Sequence, residues 1–167
     1  MLRQISDFDL SEGVIIDDNA SDMPEMIQLL EDLGRDFCVL KKTKNLGPRH
    51  FYENKTFLNW LPKHFIVTDP DIGFASSLPK NFIEIFKEIS EQYKLFRVSF
   101  ALDIHIQEDN ILHRELASPT IFQWEQQFWN NKLGEIHGSP IYSAASDTTF
   151  CVFNKKFFNR GGDRSVT

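Results

Sequence analysis

Phe65-Ile66-Val67-Thr68-Asp69-Pro70-Asp71-Ile72 is a short apolar run that ends abruptly in two carboxylates one residue apart. Its β-branched and aromatic residues read as a buried strand. Pro70 offers no backbone N–H, so ladder pairing should stop about there. In open α/β sheets ligands bind outside the carboxyl ends of the strands. An Asp-x-Asp delivered at such an end places two hard oxygen ligands there, suited to Mg²⁺ or Mn²⁺ when phosphate oxygens complete the shell. The same residues also fit a plain polar turn after a strand, so the weight of the motif depends on its neighbours.

Two other strand ends carry polar groups. Gly13 opens Val14-Ile15-Ile16, a strand closed by Asp17-Asp18-Asn19-Ala20-Ser21-Asp22. Phe37-Cys38-Val39-Leu40 is a second strand, followed by a basic stretch and Asn45-Leu46-Gly47-Pro48-Arg49. Between them a helix is expected. Ser21 or Asp22 would cap it, Pro24 falls in its first turn, and Met26, Ile27, Leu29, Leu30 and Leu33 form its apolar face up to Gly34. The segment from His50 to Leu61 is ambiguous. After Asp71 the periodicity predicts a helix over 81–93, a strand over 97–104, a polar linker, an aromatic helix over 120–131 and a last strand over 147–153. From about residue 159 the Gly- and Arg-rich tail predicts no regular structure. This order implies a single α/β domain over residues 1–167 with a largely parallel sheet, which would gather all three polar strand ends on one edge.

Composition limits the function classes. The chain has 167 residues, 41% of them hydrophobic, enough for one real core; a chain of this size buries roughly 70% of its unfolded surface. A net charge of −6 argues against general affinity for nucleic acid or anionic membrane. No apolar window spans a bilayer and no signal peptide is visible, so the expected location is the cytoplasm. Cys38 and Cys151 fit no zinc or redox spacing and read as reduced core residues.

Taken in order, Ile15-Ile16-Asp17-Asp18-Asn19-Ala20-Ser21-Asp22, Asn45-Leu46-Gly47 and Asp69-Pro70-Asp71 resemble the strand-end motifs of nucleotide-sugar glycosyltransferases of the GT-A type, family 2. Phe100-Ala101-Leu102-Asp103-Ile104, Trp124-Glu125-Gln126-Gln127-Phe128-Trp129 and Asp147-Thr148-Thr149-Phe150 are similar to a bacterial surface-polysaccharide subgroup. The resemblance runs from about Gly13 to Phe153. It implies a GT-A, Rossmann-like sheet flanked by helices and a metal-dependent, inverting transfer from a UDP- or GDP-sugar to a glycan or lipid-linked acceptor, with peripheral membrane association compatible with such an acceptor. It implies that Asp18 meets the nucleobase with Asn19 nearby, and that Asn45 and Arg49 border the nucleotide. Asp69 would hold the ribose or a metal-bound water, and Asp71 the Mn²⁺ or Mg²⁺ that bridges the phosphates.

An inverting transfer needs a base for the acceptor hydroxyl. The Glu-Asp dipeptide of that family is absent, so Asp147 comes first, Glu125 second and Asp103 third. Asp147 also fits a strand-start cap, and Glu125 a carboxylate bonded within the fold. Trp124 and Trp129 fit core packing better than stacking on an acceptor sugar. His105, His113 and His137 show no metal spacing. The resemblance also implies an opening strand before residue 1 and a closing segment after residue 167, which makes a partial domain the expectation. Two rivals stand beside the transferase: a truncated or degenerate domain that binds nucleotide without turnover, and a haloacid dehalogenase-like phosphatase with Asp69 as nucleophile. The second wants Thr or Val where Gly73 stands.

Overall fold

A computed structural model describes residues 2–8, 10, 13–47, 49–104, 120–145, 150–158 and 165–166. The chain divides into two compact units, Met1–Trp60 and Leu61–Thr167.

The first unit is built on a two-stranded parallel ladder. Strand β1 (Ile15–Asp18) follows the short helix α1 (Leu2–Asp7) and pairs with β2 (Cys38–Lys41), Ile15 opposite Cys38 and Asp18 opposite Lys41. Parallel neighbours need a crossover, and α2 (Pro24–Leu33) provides it. Pro24 stands in the first turn of α2, where its missing N–H costs nothing. The expected cap does not form. Met23 occupies the N-cap without a side-chain bond, and Ser21 instead donates its N–H to Asp18. After β2 the ambiguous segment resolves into two short helices, α3 (His50–Glu53) and α4 (Lys55–Trp60).

The second unit holds a four-stranded sheet in the order β3 (His64–Val67), β7 (Cys151–Asn154), β4 (Arg97–Ser99), β8 (Ser165–Val166). Here the expectation of a largely parallel sheet is corrected. β7 runs antiparallel to both neighbours, with Val67 and Ser99 each opposite Cys151, and only β4 with β8 is parallel. The reason lies in Phe150. Its ring packs at the carboxyl ends of β3 and β4 against Phe74, Phe82 and Phe100, with centroids 5.1, 5.5 and 5.7 Å away. A strand that starts from an anchor at that edge can only run back along its neighbours. β8 adds two residues of strand within the tail expected to lack structure.

Helix α5 (Phe82–Tyr93) places Phe82, Phe86 and Ile89 in the core, as its spacing predicts, and ends at Lys94 in the left-handed conformation. The aromatic helix forms as α6 (Ile121–Gln126) plus a 3₁₀ turn over Gln127–Trp129. Thr120 and Gln123 close a reciprocal capping box at its start. An antiparallel hairpin then follows that the sequence reading lacks: β5 (Lys132–Ile136) and β6 (Ser139–Tyr142). His137 and Gly138 both take positive φ at its tip, the backbone of a tight two-residue hairpin turn. Cys151 is buried, but Cys38 is exposed rather than in the core.

At the far end of β7 a polar network replaces apolar packing. Asn154 is fully buried; its amide donates to Ser90 Oγ at 3.0 Å and Glu91 Oε1 at 3.2 Å, and its oxygen accepts from the Lys156 N–H at 3.1 Å. Lys156 Nζ lies 2.6 Å from Glu91 Oε2 and Lys63 Nζ 3.2 Å from Oε1. The hydrogen bonds from Lys156, then Asn154 and Lys63, hold the Glu91 carboxyl down to about 2 from its ordinary 4.5.

Candidate functional site

In the first unit the loop after β1 and the turn after β2 are joined by side chains. Asp18, at the last position of β1, is only 9% exposed. Its Oδ1 accepts the Ser21 N–H at 2.9 Å, which closes a tight loop over Ala20, a non-glycine residue at φ 69°. The Asp18 Oδ2 has no protein partner among the described residues. A buried carboxylate with one oxygen held and the other uncommitted is set to accept a hydrogen bond from a ligand N–H.

Asn19 turns toward the second loop. Its amide donates to Asn45 Oδ1 at 2.9 Å, and its oxygen accepts the Leu46 N–H at 2.7 Å. Asn45 Oδ1 also accepts the Gly47 N–H at 2.8 Å, and Gly47 takes φ +79°, which a side chain would strain. The structure therefore brings Asp18, Asn19 and Asn45 together. Asn19 serves as a staple between loops rather than offering its amide outward. Arg49 is exposed at the N-cap of α3.

Sequence reasoning missed His50. Its Nδ1 lies 2.8 Å from the Gly47 carbonyl and its Nε2 2.7 Å from Asp17 Oδ2, while Lys42 Nζ sits 3.4 Å from Asp17 Oδ1. The available signal was its place five residues past Asn45, at the start of the segment left ambiguous.

In the second unit β3 ends at Val67, and the Asp-x-Asp lies two residues beyond, as the proline predicts. Asp69 is half-buried and Asp71 exposed. The segment is fixed again at Phe74, whose ring contacts Phe82, Phe100 and Phe150 at 5.7, 6.1 and 5.1 Å. Asp71 is thus suspended between a strand end and an aromatic anchor three residues on. β3 and β4 run in the same direction on either side of β7, so Asp69 and Asp103 both follow strands that end at one edge. Even so, among the described residues no group of three His, Cys, Asp or Glu side chains could hold a metal ion. Two carboxylates one residue apart fit a hard cation that draws its remaining ligands from water and a diphosphate, not a metal held by protein alone.

Of the described candidates for the base, Asp103 follows β4 at this edge. Glu125 is buried, 6% exposed, on α6. Asp147 lies outside the described residues, as do His105 and His113. Trp124 is 41% exposed, against the expectation of core packing, whereas Trp129 is half-buried with its ring 5.4 Å from Tyr142. His137 is exposed at the hairpin tip, its Nε2 3.2 Å from Glu88 Oε2.

No known protein-family model, curated protein or solved structure matches the chain. No helix among the described residues is long and apolar enough to cross a membrane.

Proposed function

We propose that this chain binds a nucleoside-diphosphate sugar and belongs with the metal-dependent, inverting glycosyltransferases of GT-A type that its strand-end motifs resemble. The observation that carries the reading is Asp18: a buried strand-end carboxylate whose Oδ1 is held by Ser21 and whose Oδ2 has no partner among the described residues. An ionised carboxylate is acceptor-only. It suits bases that present an N–H, as uracil and guanine do at their pairing edges, and opposes bases that present a lone pair there. Asn45 and the exposed Arg49 border the same loops, with Arg49 suited to a diphosphate by its planar fork of donors. In the second unit Asp69 and Asp71 would hold Mn²⁺ or Mg²⁺ together with the donor's phosphates. The cation supplies Lewis-acid stabilisation of the departing nucleoside diphosphate. The exposed Trp124 offers an aromatic face for an acceptor glycan.

A second reading, nucleotide binding without turnover, is favoured by the burial of Glu125. A general base must come within hydrogen-bond reach of the acceptor hydroxyl, and Glu125 shows almost no surface.

Calorimetric titration with UDP and GDP, with and without Mn²⁺, tests the nucleotide site. Binding should need Asp18, and its metal-dependent part should vanish in Asp69→Ala and Asp71→Ala. Unchanged metal-dependent binding in both aspartate variants would falsify the metal assignment. Release of free sugar from a UDP-sugar, or transfer to a glycan acceptor, separates the enzyme from the binding module. Hydrolysis of a generic phosphoester, lost in Asp69→Asn, would instead favour the phosphatase.

A further inference from the structure

We infer that His50 is a positioning residue for the nucleotide loop, clasping the Asn45–Gly47 turn to the end of β1; this rests on the nucleotide reading above. The argument is geometric. Nδ1 meets the Gly47 carbonyl at 2.8 Å in hydrogen-bond geometry, and Nε2 lies 2.7 Å from the Asp17 carboxylate, close but outside hydrogen-bond geometry. One side chain of α3 thereby ties the turn after β2 to the carboxylate preceding Asp18.

The ring is sheltered, with its side chain 13% exposed, so water competes weakly for either contact. The charged groups that face it are Asp17 from β1 and, across that carboxylate, Lys42 just beyond β2; on its own element Arg49 precedes it and is exposed. The second link between the loops, Asn19 to Asn45 and Leu46, is exposed and made of neutral groups. The His50 clasp is the part-buried link and the Asn19 staple the exposed one, so the clasp is the contact that water loosens less between the Asn45–Gly47 turn and the end of β1.

Amide exchange on the whole chain tests this without any ligand. His50→Gln should lower the protection of the Leu46 and Gly47 amides about tenfold, the scale of one part-buried hydrogen bond, while the Val39 and Leu40 amides in β2 keep theirs. Asp17→Asn, which keeps an acceptor but not the charge, should show an intermediate effect. UDP affinity of His50→Gln should fall about tenfold in parallel. Unchanged protection in His50→Gln overturns the clasp. Lower protection with wild-type UDP affinity overturns its link to the nucleotide. If the wild type binds no nucleotide, the reading of the site fails, and the exchange measurements still decide the clasp.

Discussion

Asp18→Asn separates the two tasks assigned to one carboxylate. The Asp18 Oδ1 closes its own loop by accepting the Ser21 N–H at 2.9 Å, and an asparagine oxygen can do the same. Folding should then be nearly unaffected, within about 0.5 kcal/mol. The other oxygen becomes an NH₂ that would face the base's N–H, donor against donor. Loss of a hydrogen bond to a charged group is worth about 1.5–3 kcal/mol, which is about 10- to 150-fold in affinity. UDP and GDP should therefore weaken by that factor in a calorimetric titration, whereas CDP, whose base presents a lone pair there, should not weaken and is expected to gain. Asp18→Ala removes both functions and should add about 0.5–2 kcal/mol of destabilisation, by analogy with loss of a helix cap. If Asp18→Asn binds UDP as the wild type does, the carboxylate is only a loop closure and the proposed base recognition is wrong.

Other expectations can be checked with the same material. Mn²⁺ alone should bind weakly and UDP should strengthen it, since only Asp69 and Asp71 are offered; a tight metal site in titrations without nucleotide would contradict the two-carboxylate arrangement. Phe74→Ala removes three ring contacts from a half-buried site and should cost about 2–3 kcal/mol in urea unfolding, with metal-dependent UDP binding weakened in the fraction that stays folded. Asn154→Val leaves the Lys156 N–H without its acceptor and Ser90 Oγ without its donor, though the Ser90 hydroxyl still donates to the Leu95 carbonyl, and should destabilise by about 1–3 kcal/mol; a loss below about 0.5 kcal/mol would mean that water takes over these bonds. The Glu91 carboxyl is held at about 2 against an ordinary 4.5, so its contribution is full above about pH 4.5 and is lost as pH falls toward 2. An acid titration of Glu91→Gln should lack that part of the wild-type decline.

Local chemistry was legible in the sequence where it is written locally. The apolar spacing of Phe82, Phe86 and Ile89 placed α5, Pro24 marked the start of α2, and Pro70 marked the end of pairing after β3. The direction of β7 was not legible, because an apolar run such as Cys151-Val152-Phe153 reads the same in a parallel or an antiparallel ladder. The hairpin was hidden by Gly134 and Pro140, which discourage strand assignment, although His137-Gly138 between two alternating runs carried the turn signal. In the candidate site, the place of Asp18 at the end of β1 is legible in the sequence, whereas its burial depends on packing that the strand does not encode. That Asn19 would spend its amide on Asn45 and Leu46 depends on two loops meeting, which no single segment encodes.

The insertion of β7 between β3 and β4 has a consequence for how the protein is made. Phe65 waits for Phe153, and Val98 for Val152, so the strands that carry the Asp-x-Asp edge share a partner that is synthesised after both. Until that segment leaves the ribosome, β3 and β4 lack the ladder between them and Phe74 lacks the ring of Phe150. A nascent chain in this state displays unpaired strand edges beside uncovered phenylalanines, which is the condition that favours intermolecular pairing. The second unit is thus a late-closing structure whose carboxylate edge matures with its last strands.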